Sequence, residues 1–341
     1  MPEVDRGRPL AERIATAVKF VLVNVLAVGF AVLVAIHIPL AMSFSAIRMD
    51  TLTSDESDIP RFRPNLRDEP YTHSKPPGIA NYYHQTLLST NAEGFRDRDH
   101  TIEKPPETFR VAVVGDSFIF GLDLAQDETL PADLERALNE HSDGLRYETF
   151  NFGIPGMNIE GMGRLTQTFV LKYHPDLIAY SFICDDVSRT DVVTVSEWSK
   201  AVRTWFSGWP WLGEQLLKPA VILKMLRYEA DFRALSTVPP LYRARLKEGL
   251  GYYADLADSG GHDVIVLDFC REFHIDQAFA EFNSSRQRPI RLVTDFPFEL
   301  NQENRHPTAS SNAGLASLLV PAIQDIARKR SVSPPVQRAG S

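Results

Sequence analysis

From Phe20 to Ile47 the chain carries no formally charged residue, and Phe20 to Met42 is apolar apart from Asn24, His37 and the bend-prone Pro39. A helix needs about 20 apolar residues to cross the hydrocarbon core of a bilayer, and this run supplies them. Arg6, Arg8, Arg13 and Lys19 lie upstream; after Arg48 come Asp50, Asp55, Glu56 and Asp58. A cationic flank stays in the cytoplasm, so residues 1–19 are expected inside, residues 20–43 as a transmembrane anchor, and the bulk of the chain outside. A cleaved signal peptide is the rival reading, with Ala41-Met42-Ser43 as a small-residue cleavage site. The apolar run exceeds the usual ~7–15 residues of such a peptide, which favours an uncleaved anchor. A buried core helix fits the asymmetric flanks least well.

The remainder of the 341 residues can bury a full core: 44% are hydrophobic and 23% charged. A formal charge of -8 argues against a nucleic-acid partner, which requires a basic face. Two cysteines, Cys184 and Cys270, are too few for a disulfide-built scaffold or a thiolate zinc site; with no CxxC or HExxH, neither metal nor cofactor is expected. Residues 44–108 are polar, proline-bearing and weakly periodic, an arm between membrane and domain. From residue 109 onward apolar runs (FRVAVVG, LRYETFNFG, DLIAYSFIC, HDVIVLDFC) alternate with helical patterns (ETLPADLERALNEH, NIEGMGRLTQTFVLKY, LYRARLKEGLGYYADLADSGG, SSNAGLASLLVPAIQDIARKR), the last with Pro321 inside it. This alternation predicts an α/β domain over 109–329, with a parallel sheet covered by helices on both faces. Residues 330–341 read as a disordered tail. Residues 187–240 break the rhythm and hold all four tryptophans, Trp198, Trp205, Trp209 and Trp211. They read as a small helical cap with its own core or as a lid at an acyl pocket or membrane surface, since tryptophan suits sites with one apolar and one wet side.

In an open parallel sheet, reactive groups gather beyond the carboxyl ends of the strands. Gly115-Asp116-Ser117 follows the first strand, NFGIPGMN the second, and Cys184-Asp185-Asp186 the third. ENRHP, with Glu303 three residues before His306, precedes the last helix. Serine is a weak nucleophile without a positioned base, and the developing oxyanion needs fixed donors. Each element alone is weak evidence, because short GDS and HP sequences are common.

In order, VVGDSFIFG, NFGIPG, ICDD and ENRHP resemble the four blocks of the SGNH (GDSL-type) hydrolase superfamily. The resemblance covers roughly residues 91–328, including NAEGFRD ahead of the domain as in membrane-anchored bacterial members. It implies a flavodoxin-like three-layer sandwich with a parallel sheet. It further implies that Ser117 is the nucleophile and an oxyanion donor, Gly156 a second donor, His306 the base, and Glu303 the acid in place of the family's aspartate. Asp116 would hold the loop, and Glu299 or Asp295 could stand in for Glu303.

Asp185 departs from the pattern, since it occupies the place of the family's asparagine in the oxyanion hole. An ionised aspartate has only acceptors, and loss of one oxyanion donor costs ~3–4 kcal/mol. Activity then requires a protonated Asp185, which burial beside Asp186 would favour, a shifted register, or a donor from the insert. The resemblance also makes the strands ending at Cys184 and Cys270 neighbours. Outside the cytoplasm the two thiols could oxidise to a disulfide. A direct bond across adjacent parallel strands is geometrically awkward, so two free buried thiols are the simpler expectation and the bond the alternative. The implied function is an extracytoplasmic serine esterase or O-acyltransferase acting on acylated glycans or lipids of the envelope. The alternative is a catalytically weak or inactive scaffold partnering a membrane acyltransferase.

Overall fold

The protein is represented by a computed structural model that describes residues 9–43, 52–53, 59, 61–74, 83–141, 144–187, 205, 208–209, 239–270, 275–286, 288–302 and 305–332. The insert other than Val187, Trp205, Gly208, Trp209, Pro239 and Pro240, together with Glu303 and residues 333–341, lies outside them. Arg330, Ser331 and Val332, expected in a disordered tail, instead complete the last helix.

β5 (Thr108–Gly115) is buried at every position, as a strand covered on both faces must be. Its side chains alternate between two layers. Val111 and Val113 face the cluster built by α3 (Leu130–Glu140) and α7 (Ala309–Val332). Ala112 and Val114 face the cluster of α4 (Ile159–Leu165), α5 (Pro239–Gly260) and α6 (Ile275–Asn283). With β6 (Arg146–Gly153), β7 (Leu177–Phe182), β8 (Asp263–Asp268) and β9 (Arg291–Val293) the sheet runs β6-β5-β7-β8-β9, and every pairing is parallel. Counted along the chain this is the order 2-1-3-4-5, the flavodoxin-like winding. The order reverses between β5 and β7, so the open crevice lies beyond their carboxyl ends. α6 and β9 went unread in the sequence because both elements are short, nine and three residues.

β6 is an edge strand, and its outward N–H groups are covered by side chains. Tyr147 N donates to Asn139 Oδ1 at 3.0 Å, Thr149 N to Glu135 Oε2 at 2.7 Å, and Asn151 N to Asp97 Oδ2 at 2.9 Å. Residues four apart on α3 advance about 6 Å, close to the rise of two strand residues, so Glu135 and Asn139 match alternate N–H groups of β6. The arm continues the row through Asp97.

The arm holds two short hairpins, β1 (Leu52–Thr53) with β2 (Arg61–Phe62), and β3 (Glu69–Ser74) with β4 (Tyr83–Leu88). Phe62, Leu66, Tyr71 and Leu88 pack with Phe120 and Leu122 in a separate buried cluster. Ile59 and Phe95 enter the core beneath the sheet.

α1 (Leu10–Ser43) is a continuous helix of 34 residues, and Ile14–Ala31 within it has a mean hydropathy of 2.1 with no part buried against the protein. It is long and apolar enough to cross a membrane. It begins at Leu10, ahead of the expected anchor, and takes in Arg13 and Lys19.

The expectation of free thiols is overturned: Cys184 and Cys270 are bonded, with their Cα atoms 4.6 Å apart. The β7–β8 ladder ends at the Phe182–Asp268 pair, so both cysteines lie beyond it, where side chains are released from the pleat. Cys270 N instead donates to Asp268 Oδ1 at 2.8 Å. The bond links residues 86 apart and stabilises the fold by roughly 2–4 kcal/mol. Thiol titration of unreduced, denatured protein should therefore detect no free cysteine, and the double variant Cys184→Ser/Cys270→Ser should unfold at lower denaturant by that free energy.

Candidate active site

β5 ends at Gly115, where a Cβ would lie 2.2 Å from Ser181 Oγ and 2.3 Å from Ile119 Cγ1. Only glycine allows the chain to turn this tightly beneath its neighbour strand. One turn of helix follows, α2 (Ser117–Phe120). Asp116 caps it, accepting from Phe118 N at 3.0 Å. Gly121 closes it in the left-handed region at φ 77°, its N–H donating to Ser117 O at 3.1 Å. Ser117 thus stands at the first helical position and is 8% exposed.

The second block folds around the same turn. Asn151 Oδ1 accepts from Gly153 N at 2.9 Å, and Ile154 N donates to Gly115 O at 3.0 Å. A Cβ on Gly153 would sit 2.1 Å from Phe120 N, so the strand end lies directly against the backbone of α2. Ile154-Pro155-Gly156-Met157 then makes a turn, closed by Met157 N donating to Ile154 O at 3.1 Å. Proline at its second position and Gly156 at φ 80° give it the type II form. Asn158 caps α4, accepting from Gly161 N at 2.7 Å.

His306 reaches Ser117 from the far end of the sequence, with Nε2 to Oγ at 2.9 Å. Its loop is closed by the Leu300–Pro307 bridge, with Asn301 N donating to His306 O at 2.9 Å. Ser311 Oγ ties Glu299 to the start of α7, accepting from its N–H at 2.6 Å and donating to its carbonyl at 2.9 Å. The imidazole also lies against Phe118, ring centroids 5.3 Å apart. In the tautomer with its proton on Nδ1, Nε2 accepts a hydrogen bond from the serine hydroxyl. Ser117 Oγ is 3.4 Å from Asp116 Oδ2, a longer and weaker alternative.

Glu303 lies outside the described residues, and both Glu299 and Asp295 are exposed. At the third block the two aspartates differ sharply. Asp186 is 1% exposed and turns back on its own loop, accepting from Ile183 N at 2.9 Å, while its carbonyl accepts from Ile159 N at 3.3 Å. Asp185 is the half-buried member of the pair. The arm residues Arg96 and Asp97 also reach the site's supports, and sequence reasoning assigned them no role. Their signal was the motif NAEGFRD.

No protein-family model and no curated protein matches the chain. Among solved structures it is similar to AlinE4, an SGNH-hydrolase family esterase, at 16% identity and a TM-score of 0.36, covering 68% of this chain and 100% of that one. It is similar to TesA at 15% identity and 0.39, covering 64% and 99%. A lipase/acylhydrolase from Enterococcus faecalis is 14% identical, TM-score 0.37, covering 64% and 96%. At such identities the chemistry has to be argued from this chain's own geometry.

Gly153→Ala tests the packing between the second block and α2. Its methyl group must displace backbone, and overpacking of this kind costs about 1–3 kcal/mol. Denaturant unfolding of the variant should show that loss.

Proposed function

We propose that the chain is a membrane-anchored serine esterase or O-acyltransferase acting outside the cytoplasm on acyl esters of envelope glycans or lipids. The observation that carries this reading is the 2.9 Å hydrogen bond between His306 Nε2 and Ser117 Oγ, at the carboxyl edge of a parallel sheet. Ser117 Oγ attacks the ester carbonyl while its proton passes to His306 Nε2. The carbonyl oxygen takes up negative charge, received by the N–H groups of Ser117 and Gly156. His306 then gives its proton to the departing alcohol and leaves an acyl-serine. Water or a sugar hydroxyl takes the acyl group by the reverse sequence, with His306 again as base. Glu303 is assigned to orient the imidazole, and no metal takes part.

Two features support the location. An apolar helix precedes the domain, with cationic residues on its N-terminal side. The Cys184–Cys270 bond suits an oxidising compartment. A carboxyl group at Asp185, in place of an amide donor, favours a second reading, a poorly active scaffold beside a membrane acyltransferase.

A fluorophosphonate probe distinguishes the two. Labelling of the full chain in detergent should be abolished in Ser117→Ala and reduced at least 100-fold in rate in His306→Ala. No labelling of the wild type at any pH would favour the scaffold. Asp185→Asn supplies an N–H2 donor at the same place, so kcat on a short-chain nitrophenyl ester should match or exceed that of the wild type. A large loss would exclude Asp185 from the oxyanion site.

A further inference from the structure

A one-turn helix leaves carbonyls unsatisfied at its C-terminal end, and here they meet a buried cation from the arm. Arg96 is 1% exposed; its Nη1 donates to Phe120 O at 2.8 Å and Gly121 O at 2.6 Å, and its Nη2 to Leu124 O at 2.6 Å. The guanidinium lies 5.1 Å from the centroid of the Phe120 ring, which Phe62 stacks on from the arm at 5.1 Å. Burial lowers its pKa to about 10, so it stays charged at neutral pH. A cation at this end also complements the helix dipole. The next residue reaches the other half of the site. Asp97 Oδ2 accepts from Asn151 N at 2.9 Å and pairs with His100 Nε2 at 3.1 Å. Asn151 in turn holds Gly153 N, and Gly153 lies against Phe120 N.

The dipeptide is itself held rigidly. Asn91 Oδ1 accepts from Glu93 N at 3.0 Å and Phe95 N at 2.9 Å, and Phe62 N donates to Gly94 O at 3.1 Å. Gly94 has φ 86°, and a Cβ there would be 2.0 Å from Phe62 O. NAEGF is therefore a fixed turn that delivers Arg96 and Asp97.

We propose that Arg96 and Asp97 are positioning residues for the serine reaction: Arg96 fixes the exit of the turn that carries Ser117, and Asp97 fixes the strand end that leads to Gly156. Neither touches the reacting atoms. The arm thereby sets the relation between the two N–H groups assigned to the oxyanion. The inference rests on the serine-enzyme reading above. Lysine cannot replace Arg96, since a single ammonium does not span three carbonyls with a planar fork.

The test separates positioning from folding by measuring both the extent and the rate of fluorophosphonate labelling in the full chain. Extent counts molecules with a folded site; rate reports how well that site is arranged. For Arg96→Lys and Asp97→Asn, labelling should run to at least half the wild-type extent but about 10- to 100-fold more slowly. On a nitrophenyl ester, kcat should fall by a similar factor with KM changed less than threefold. Methylguanidinium should restore part of the rate in Arg96→Ala. Reduced extent at an unchanged rate, or wild-type kcat per labelled molecule, would mean that the two residues serve stability alone and would overturn the proposal. Because the rate is read per molecule labelled, partial misfolding does not obscure it. Absence of labelling in the wild type removes the serine-enzyme reading itself, and the inference falls with it.

Discussion

A helix of four residues has no stability of its own. Nucleating a helical turn is unfavourable, and α2 is too short to recover that cost by propagation. The whole candidate site depends on external groups that complete it. Asp116 supplies an acceptor at the N-terminal end, and Gly121 turns the chain back at the other. Beyond Gly121, Arg96 satisfies the exit carbonyls. The helix is also confined sideways. Gly115 and Gly153 bring two strand ends so near that a single methyl group on either would collide with it. Ser117 has little freedom left, and the hydrogen bond to His306 can form without a large search.

The same economy is visible at the edge of the sheet. An uncovered edge strand next to the site would invite pairing with another chain. β6 instead spends its outward N–H groups on Asn139, Glu135 and Asp97. Asp97 thus protects the edge and fixes the strand end at once. Cutting the arm away would expose both the edge and the exit of α2, so the arm belongs to the domain's energetics and is more than a link to α1.

The sheet and the serine turn were legible because their signals are local. A buried parallel strand reads as a continuous apolar run, and a tight strand-to-helix turn demands glycine followed by a capping side chain, which is Gly115-Asp116. Asn151, Gly153 and Gly156 were singled out by the resemblance of NFGIPG to a family block, and the turn they form emerges from the fold. The arm was harder. Its strands are short, its buried residues few, and Arg96 looks in sequence like any exposed arginine. Only the fold reveals that its partners are backbone carbonyls some 25 residues ahead. The disulfide was misread for a related reason: the strand pairing was foreseen, but not that both cysteines fall past the end of the ladder. At the third block, sequence adjacency could not say which of Asp185 and Asp186 is the buried one.

That last distinction bears on how the third block is held. Asp186 cannot face the crevice, since its carboxylate is committed to Ile183 N and its carbonyl to Ile159 N, which locks the loop to the start of α4. Cys184 is fixed from two further sides, by the bond to Cys270 and by Tyr242, whose hydroxyl donates to Cys184 O at 2.8 Å. Tyr242 lies in the first turns of α5, where the described chain resumes after the tryptophan-bearing segment. Both roots of that segment are therefore fastened to the same sheet end that carries Asp185. Asp185, between the bonded Cys184 and the committed Asp186, thus stands on a rigid base.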